Sequence, residues 1–318
     1  MIDLIDKKIL CELDLNCREL LSKMAKRLRV GRNVVGYRIK NLEKQGIIKK
    51  YICSLNLGLL GFKTYKINFK VRNIKNEKSF VEYLLNHNSV VNCIKEEGAF
   101  DYSVSVAVKN VSELDAFLMT MKNNFREILE DYSVSITVYS KIFKLNKLLL
   151  GERKEIPKIE KYSGEEDLIK IDEKDKLILR ALAQQANLQI VDLARKTKLS
   201  IDVVKYRLKN LSKNLISSFR VLLDFNKLGY YNYVIMLRIS KATKAEEDKL
   251  ISWCSINSSV LYCSKRISYH DFTINIAIKN IEELNNFIAN LKESFSEVID
   301  SYETTLNSNI LKLNYVVF

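Results

Sequence analysis

Val34-Val35-Gly36-Tyr37-Arg38-Ile39-Lys40-Asn41-Leu42 recurs as Val203-Val204-Lys205-Tyr206-Arg207-Leu208-Lys209-Asn210-Leu211, with seven of nine positions identical at an offset of 169. Working outward, Asp3, Asp6, Leu10 and Ala25 meet Asp172, Asp175, Leu179 and Ala194 at the same offset, and residues 101–110 meet 271–280 at an offset of 170. The order is kept throughout. The 318-residue chain is therefore a unit of ~150 residues written twice.

Each unit changes period halfway. In the front half Ile5, Ile9, Leu10 and Leu13 recur at helical spacing, and Leu21, Met24, Ala25 and Leu28 mark a second helix over about 19–28. After Arg29-Val30-Gly31 a third helix over about 32–45 buries Val35, Ile39 and Leu42 and stops at Gly46. An extended stretch over 47–55 follows, which together describes a winged helix-turn-helix. In the back half Tyr65, Ile67, Phe69 and Val71 alternate with Lys66, Asn68 and Lys70, as in a half-buried strand. Helix, two strands, helix and a last strand over 132–139 complete the order βαββαβ. The fold class is α+β: two winged helix-turn-helix modules, each followed by a βαββαβ ferredoxin-like sandwich. The expected division is 1–61 and 172–229 for the helical modules, 62–143 and 230–318 for the sandwiches. Residues 144–171 are expected to be a polar linker, carrying the single proline, Pro157.

Net charge is +14, and its placement is informative. By segment the balance is +7 for 1–61, +1 for 62–143, +1 for 144–171, +6 for 172–229 and −1 for 230–318. A generic solvated surface would spread this surplus evenly. Its concentration on the two helical modules fits phosphate neutralisation by a nucleic-acid binder.

Other classes are poorly supported. No apolar run reaches the ~18 residues of a membrane span, and the acidic start is no secretory leader. Six scattered cysteines without C-x-x-C pairs fit reduced thiols and a cytoplasmic location. The two histidines, His87 and His270, lie far apart, no metal-ligand cluster is visible, and the common phosphate-loop and hydrolase signatures are absent. No catalytic residue, metal or cofactor is expected, and the protein reads as a non-enzyme.

On the third helix Arg32, Asn33, Gly36, Tyr37 and Lys40 face away from the apolar positions. Arg and Asn can read base edges, Tyr and Lys can contact phosphate, and Gly admits close backbone approach. With Arg29 in the turn, and Lys198, Ser200, Lys205, Tyr206 and Lys209 in the second copy, these are the expected DNA-binding residues. Arg29, Arg32, Asn33 and Gly36 correspond to Lys198, Ile201, Asp202 and Lys205, so the copies differ where bases would be read. Arg38 and Arg207 adjoin buried positions, where an ion-pair role competes with a phosphate contact.

This order of elements resembles the Lrp/AsnC family of feast/famine transcription regulators. Residues 3–10 look like that family's opening helix, Asn16-Cys17-Arg18 like its Asn-x-Arg, and residues 35–48 like its recognition helix running into Gly-[VI]-Ile. Leu60-Gly61-Phe62 resembles its Leu-Gly-[YF], and Gly98-Ala99-Phe100-Asp101 its Gly-x-[YF]-Asp turn. The second copy departs at Asn187, Leu215 and Ser268, which replace Arg18, Gly46 and Gly98. Two units in one chain is itself a departure. The resemblance implies a sequence-specific regulator that binds double-stranded DNA. It also implies an amino acid or other small-molecule effector near Gly98, Asp101 and Asp271, and pairing of the two sandwiches into an intramolecular pseudo-dimer open to further homo-oligomerisation. Two alternatives stand beside it: a siroheme-decarboxylase-type enzyme, since some such enzymes look like tandem Lrp/AsnC proteins, and a non-specific architectural DNA-binding protein.

Overall fold

The computed structural model describes residues 2–72, 77–151, 158–161, 168–239 and 241–318. In the first copy it contains α1 (Leu4–Asn16), α2 (Leu21–Leu28), α3 (Arg32–Lys44), β1 (Ile48–Leu55), β2 (Lys63–Val71), α4 (Glu77–Asn86), β3 (Val90–Glu97), β4 (Tyr102–Val108), α5 (Val111–Phe125) and β5 (Leu129–Ile142). Between the copies lie α6 (Leu145–Leu150) and β6 (Lys158–Lys161). The second copy follows with α7 (Glu173–Gln184), α8 (Ile190–Thr197), α9 (Ile201–Asn214), β7 (Ile216–Leu223), β8 (Tyr231–Arg238), α10 (Lys244–Ile256), β9 (Val260–Ile267), β10 (Phe272–Ile278), α11 (Ile281–Phe295) and β11 (Ser301–Leu313). No helix among the described residues is long and apolar enough to cross a membrane.

The chain sorts into two units. One holds both helical modules with α6. The other holds both sandwiches with β6 and the 3-10 turn Leu57–Leu60. The boundary expected at residue 61 therefore falls after Asn56, because Phe62 N donates back to Leu57 O and the turn packs on β2.

In the helical unit, capping boxes start the first helix of each copy. The Asp3 carboxylate accepts from Asp6 N and the Asp6 carboxylate from Asp3 N at α1, and Asp172 and Asp175 do the same at α7. Gly46, at φ +68, closes α3 in a Schellman arrangement: Gly46 N donates to Glu43 O and Ile47 N to Leu42 O. In the second copy Leu215 keeps a negative φ, and the chain runs straight into β7. β1 and β7 pair antiparallel with each other, so the strand after each recognition helix finds its partner in the other copy.

The expected linker differs from what is observed. Leu145 and Leu149 are buried, and α6 packs on α1. Leu145 N donates to the carboxylate of Asp14 (3.1 Å), which also takes Arg220 Nε at 2.7 Å. β6 adds to the outer half of β5. A six-residue helix with two buried leucines is too short to show a recognisable period.

In the sandwich unit the two copies exchange strand ends. β5 pairs with β2 through its first half and with β9 through its second, while β11 pairs first with β8 and then with β3. The order β2-β4-β3-β11-β8-β10-β9-β5, closed by β2–β5, makes a ring of eight strands. One face of each half-ring packs on its own helices: Tyr65, Ile67 and Phe69 meet Phe80, Leu84 and Phe117 in one core, and Ile235, Leu237 and Ile274 meet Leu250, Phe287 and Leu291 in the other. The alternate residues turn inward and are polar yet buried. They include Lys66, Glu96, Ser103, Arg266, Asn275 and Asn307.

Candidate nucleic-acid interface

The helix-turn-helix of each copy is built on the same apolar triad. Val35, Ile39 and Leu42 are buried under α3, and Val204, Leu208 and Leu211 under α9. The 3.6-residue period then presents Arg32, Asn33, Tyr37 and Lys40 to solvent, with Gly36 half-buried beside Leu21. Lys205, Tyr206 and Lys209 occupy the same face of α9. Tyr37 and Tyr206 are each 73 % exposed, unusual for an aromatic ring with no packing role. Asn33 and Tyr37 also line a shallow groove with Asp6, Arg38 and Asn41.

The turns before α3 and α9 carry basic residues in the left-handed region, Arg29 and Lys198, both at φ 55. A side chain there costs about 1 kcal/mol relative to glycine. Ser200 is exposed but its hydroxyl accepts from Val203 N as the N-cap of α9, so this expected DNA contact already has a structural task. α3 starts from Gly31 with no side-chain cap.

Arg38 and Arg207 resolve as braces. Arg38 Nη1 reaches Asp3 (2.6 Å) and Asp6 (2.9 Å), and Arg207 Nη1 reaches Asp172 (2.8 Å) and Asp175 (2.9 Å). The Asp6 backbone N–H and then the Arg38 guanidinium hold the Asp3 carboxyl below its ordinary range, and Asp172 is held down likewise by the Asp175 N–H and Arg207. Each recognition helix is thereby tied to the cap of the first helix in its module. Arg29, Arg32, Lys40, Lys198, Lys205 and Lys209 are exposed, and among the described residues none is drawn into an ion pair. Their charge remains available for phosphate.

The residues expected to hold an effector have structural work. Asp101 accepts from Val71 N and Asp271 from Ile239 N, both at 2.8 Å, tying each β3–β4 type turn to the end of β2 or β8. Gly98 sits at φ +142, where an added Cβ would lie 3.3 Å from Thr304 O. Lysines attend both turns: Lys70 Nζ lies 3.4 Å from Gly98 O and 3.7 Å from Asp101, and Lys265 Nζ 4.0 Å from Asp271.

Sequence reasoning missed two clusters. One is Asp14 with Arg220, whose signal was a carboxylate at a core position of α1. The other is the inward triad of Lys66, Glu96 and Arg266, with Lys66 Nζ 4.0 Å from Glu96 Oε1. Burial first, and Arg266 second, push Lys66 down to about 8, while Glu96 opposes the shift. His87 accepts from Ser89 N and packs on Tyr83 and Phe117, and His270 lies 3.8 Å from Glu303.

A winged helix-turn-helix DNA-binding family model matches the chain twice, over residues 2–49 and 171–214. An HTH-type transcriptional regulator of Pyrococcus furiosus is 30% identical over 119 residues, covering 37% of this chain and 80% of that protein. The HTH-type transcriptional regulator LrpA of Bacillus subtilis is 29% identical over 139 residues, covering 43% and 98%. Among solved structures, the siroheme decarboxylase NirDL superposes with a TM-score of 0.63 at 14% identity, covering 99% of this chain and 94% of that one, a likeness of fold. Two helix-turn-helix matches at the two copies, with single-unit regulators each spanning under half the chain, lead to one conclusion: this protein belongs to the Lrp/AsnC family of DNA-binding transcription regulators, carried as a tandem duplication in one chain.

Proposed function

We propose that the chain binds duplex DNA sequence-specifically through both recognition helices, acting as an intramolecular pseudo-dimer rather than as an enzyme. One observation carries this reading. Modules with a combined surplus of +13 each present a helix face with exposed, unpaired cations, while the sandwiches they precede are near neutral. The two modules pair through β1 and β7, which suits two half-sites read together.

The test is a salt titration. With ~6–10 phosphate contacts, affinity for duplex DNA falls about 10³-fold or more between 50 and 200 mM salt. A flat response, or no binding at low salt, removes the proposal. An amino acid or related effector at the turns of Gly98, Asp101 and Asp271 would shift this affinity, and an amino-acid panel in the same assay reads it out.

The fold shared with a siroheme decarboxylase supplies the second reading, tetrapyrrole binding in the sandwich unit. Each sandwich carries a single histidine, which counts against this reading. A siroheme titration without absorbance change removes it.

A further inference from the structure

The two recognition helices are held alike and armed differently. Their braces match within 0.2 Å, at 2.6 and 2.9 Å for Arg38 against 2.8 and 2.9 Å for Arg207. Tyr37 and Tyr206 have equal exposure. Any difference in what they read therefore lies in side chains, with Gly36 against Lys205 further along and two adjacent exchanges in the first helical turn. That turn carries Arg32 and Asn33 in α3 and Ile201 and Asp202 in α9. It is the part of a helix-turn-helix recognition helix that reaches base edges in the major groove.

We infer that the protein reads an operator of two chemically unlike half-sites, the first through purine edges and the second through thymine methyl and cytosine amino groups. Arg32 offers a guanidinium fork, which suits guanine O6 and N7, and Asn33 a donor–acceptor pair, which suits adenine N6 and N7. Ile201 is 49 % exposed at the start of α9, a large apolar surface left in water. A thymine C5-methyl would bury that surface. Asp202 is exposed in the same turn. Capping does not explain it, since the Ser200 hydroxyl holds that position by accepting from Val203 N. Its carboxylate can only accept, so it selects an exocyclic amino donor, cytosine N4, and repels phosphate elsewhere. The phosphate contacts common to both helices, at Tyr37 and Tyr206 and at Lys40 and Lys209, set the register and carry no sequence information.

This inference rests on the DNA-binding reading above, and the experiment separates the two. The full chain is put through selection from random duplexes at low salt, alongside R32A and the double variant I201R/D202N. All three altered positions are exposed, so folding is not at stake. The wild type is expected to select two unlike half-sites about one helical turn apart. R32A should lose about tenfold or more of the guanine preference in one half-site only. I201R/D202N, which gives α9 the first turn of α3, should shift the second half-site towards the guanine and adenine preference of the first. A wild-type palindrome overturns the inference while DNA binding stands. So does a selection by I201R/D202N that is indistinguishable from wild type, or binding with no base preference. Failure to bind any duplex overturns both.

Discussion

On their outer faces the two sandwiches are near replicas. Tyr65, Ile67 and Phe69 answer to Tyr233, Ile235 and Leu237, Cys93 to Cys263, and Leu114, Phe117 and Phe125 to Leu284, Phe287 and Phe295. Their inner faces are not. Lys66 stands where the second copy has Val234, Glu96 where it has Arg266, and Ser105 where it has Asn275. The outer face packs against helices of its own copy, so each copy must satisfy the same jigsaw by itself. The inner face turns towards the other copy. In a homodimer every substitution there would appear twice, and an arginine at this position would meet its own image. Joining the copies in one chain lifts that symmetry, and charges that complement across it become possible. The helical modules teach the same lesson: braces are kept, exposed first turns have parted.

The sharpest break in the comparison is at Asp14, whose counterpart is Ala183. Asp14 is 1 % exposed and answers both Arg220 and the start of α6. Asp14→Ala should cost about 3 kcal/mol, since it leaves a largely buried guanidinium without its carboxylate. Ala183→Ser should change little, and urea denaturation of both variants measures the contrast. Gly98 comes next. Gly98→Ser combines a φ of +142 with a 3.3 Å approach to Thr304 O, a strain of about 1–3 kcal/mol. The reverse change, Ser268→Gly, meets no positive φ and should shift the melting temperature only slightly.

Lys66 gives a pH signature that Val234 cannot. Its ammonium is pushed from the ordinary 10.5 to about 8, mainly by burial. Between those values the unfolded chain holds a proton that the folded chain has shed, so this group makes stability rise with pH across that window. Below it both states are protonated and the contribution is constant. Lys66→Met should remove the alkaline rise, seen as urea midpoints that no longer separate between pH 7.5 and 9.5. The smallest effect sharpens the likeness of the turns. Arg29→Gly and Lys198→Gly each relieve a left-handed side chain and should raise stability by about 1 kcal/mol. Each should also lower the salt slope of DNA binding by about 1. Higher stability with an unchanged slope would deny those residues a phosphate contact.

The fold was legible where periodicity and repetition reinforced each other. Seven identities in nine residues at a fixed offset exposed the duplication, and Val35, Ile39 and Leu42 placed the recognition helix to within a residue. The interface was half legible: spacing identified the exposed side of α3, but only the folded structure separates Arg38, bound to two carboxylates, from Arg32, which meets none among the described residues. The alternation of Lys66, Asn68 and Lys70 was visible too. A polar face reads the same in sequence whether it meets water or another polar face. The exchange of strand ends left no local mark, because Ser140 pairing with Ser264 is a property of two segments 124 residues apart.

That exchange sets a timetable for synthesis. The outer half of β5 ends at Ile142 and its partner begins at Val260, so about 120 residues must leave the ribosome before the two can meet. At ~5–20 residues per second this is roughly 6–24 s during which the first sheet waits with two open edges. Nascent chains on neighbouring ribosomes of one message would offer each other the same missing strand. The protein's most vulnerable moment is therefore halfway through its own translation, and a pause placed inside the second copy would lengthen it.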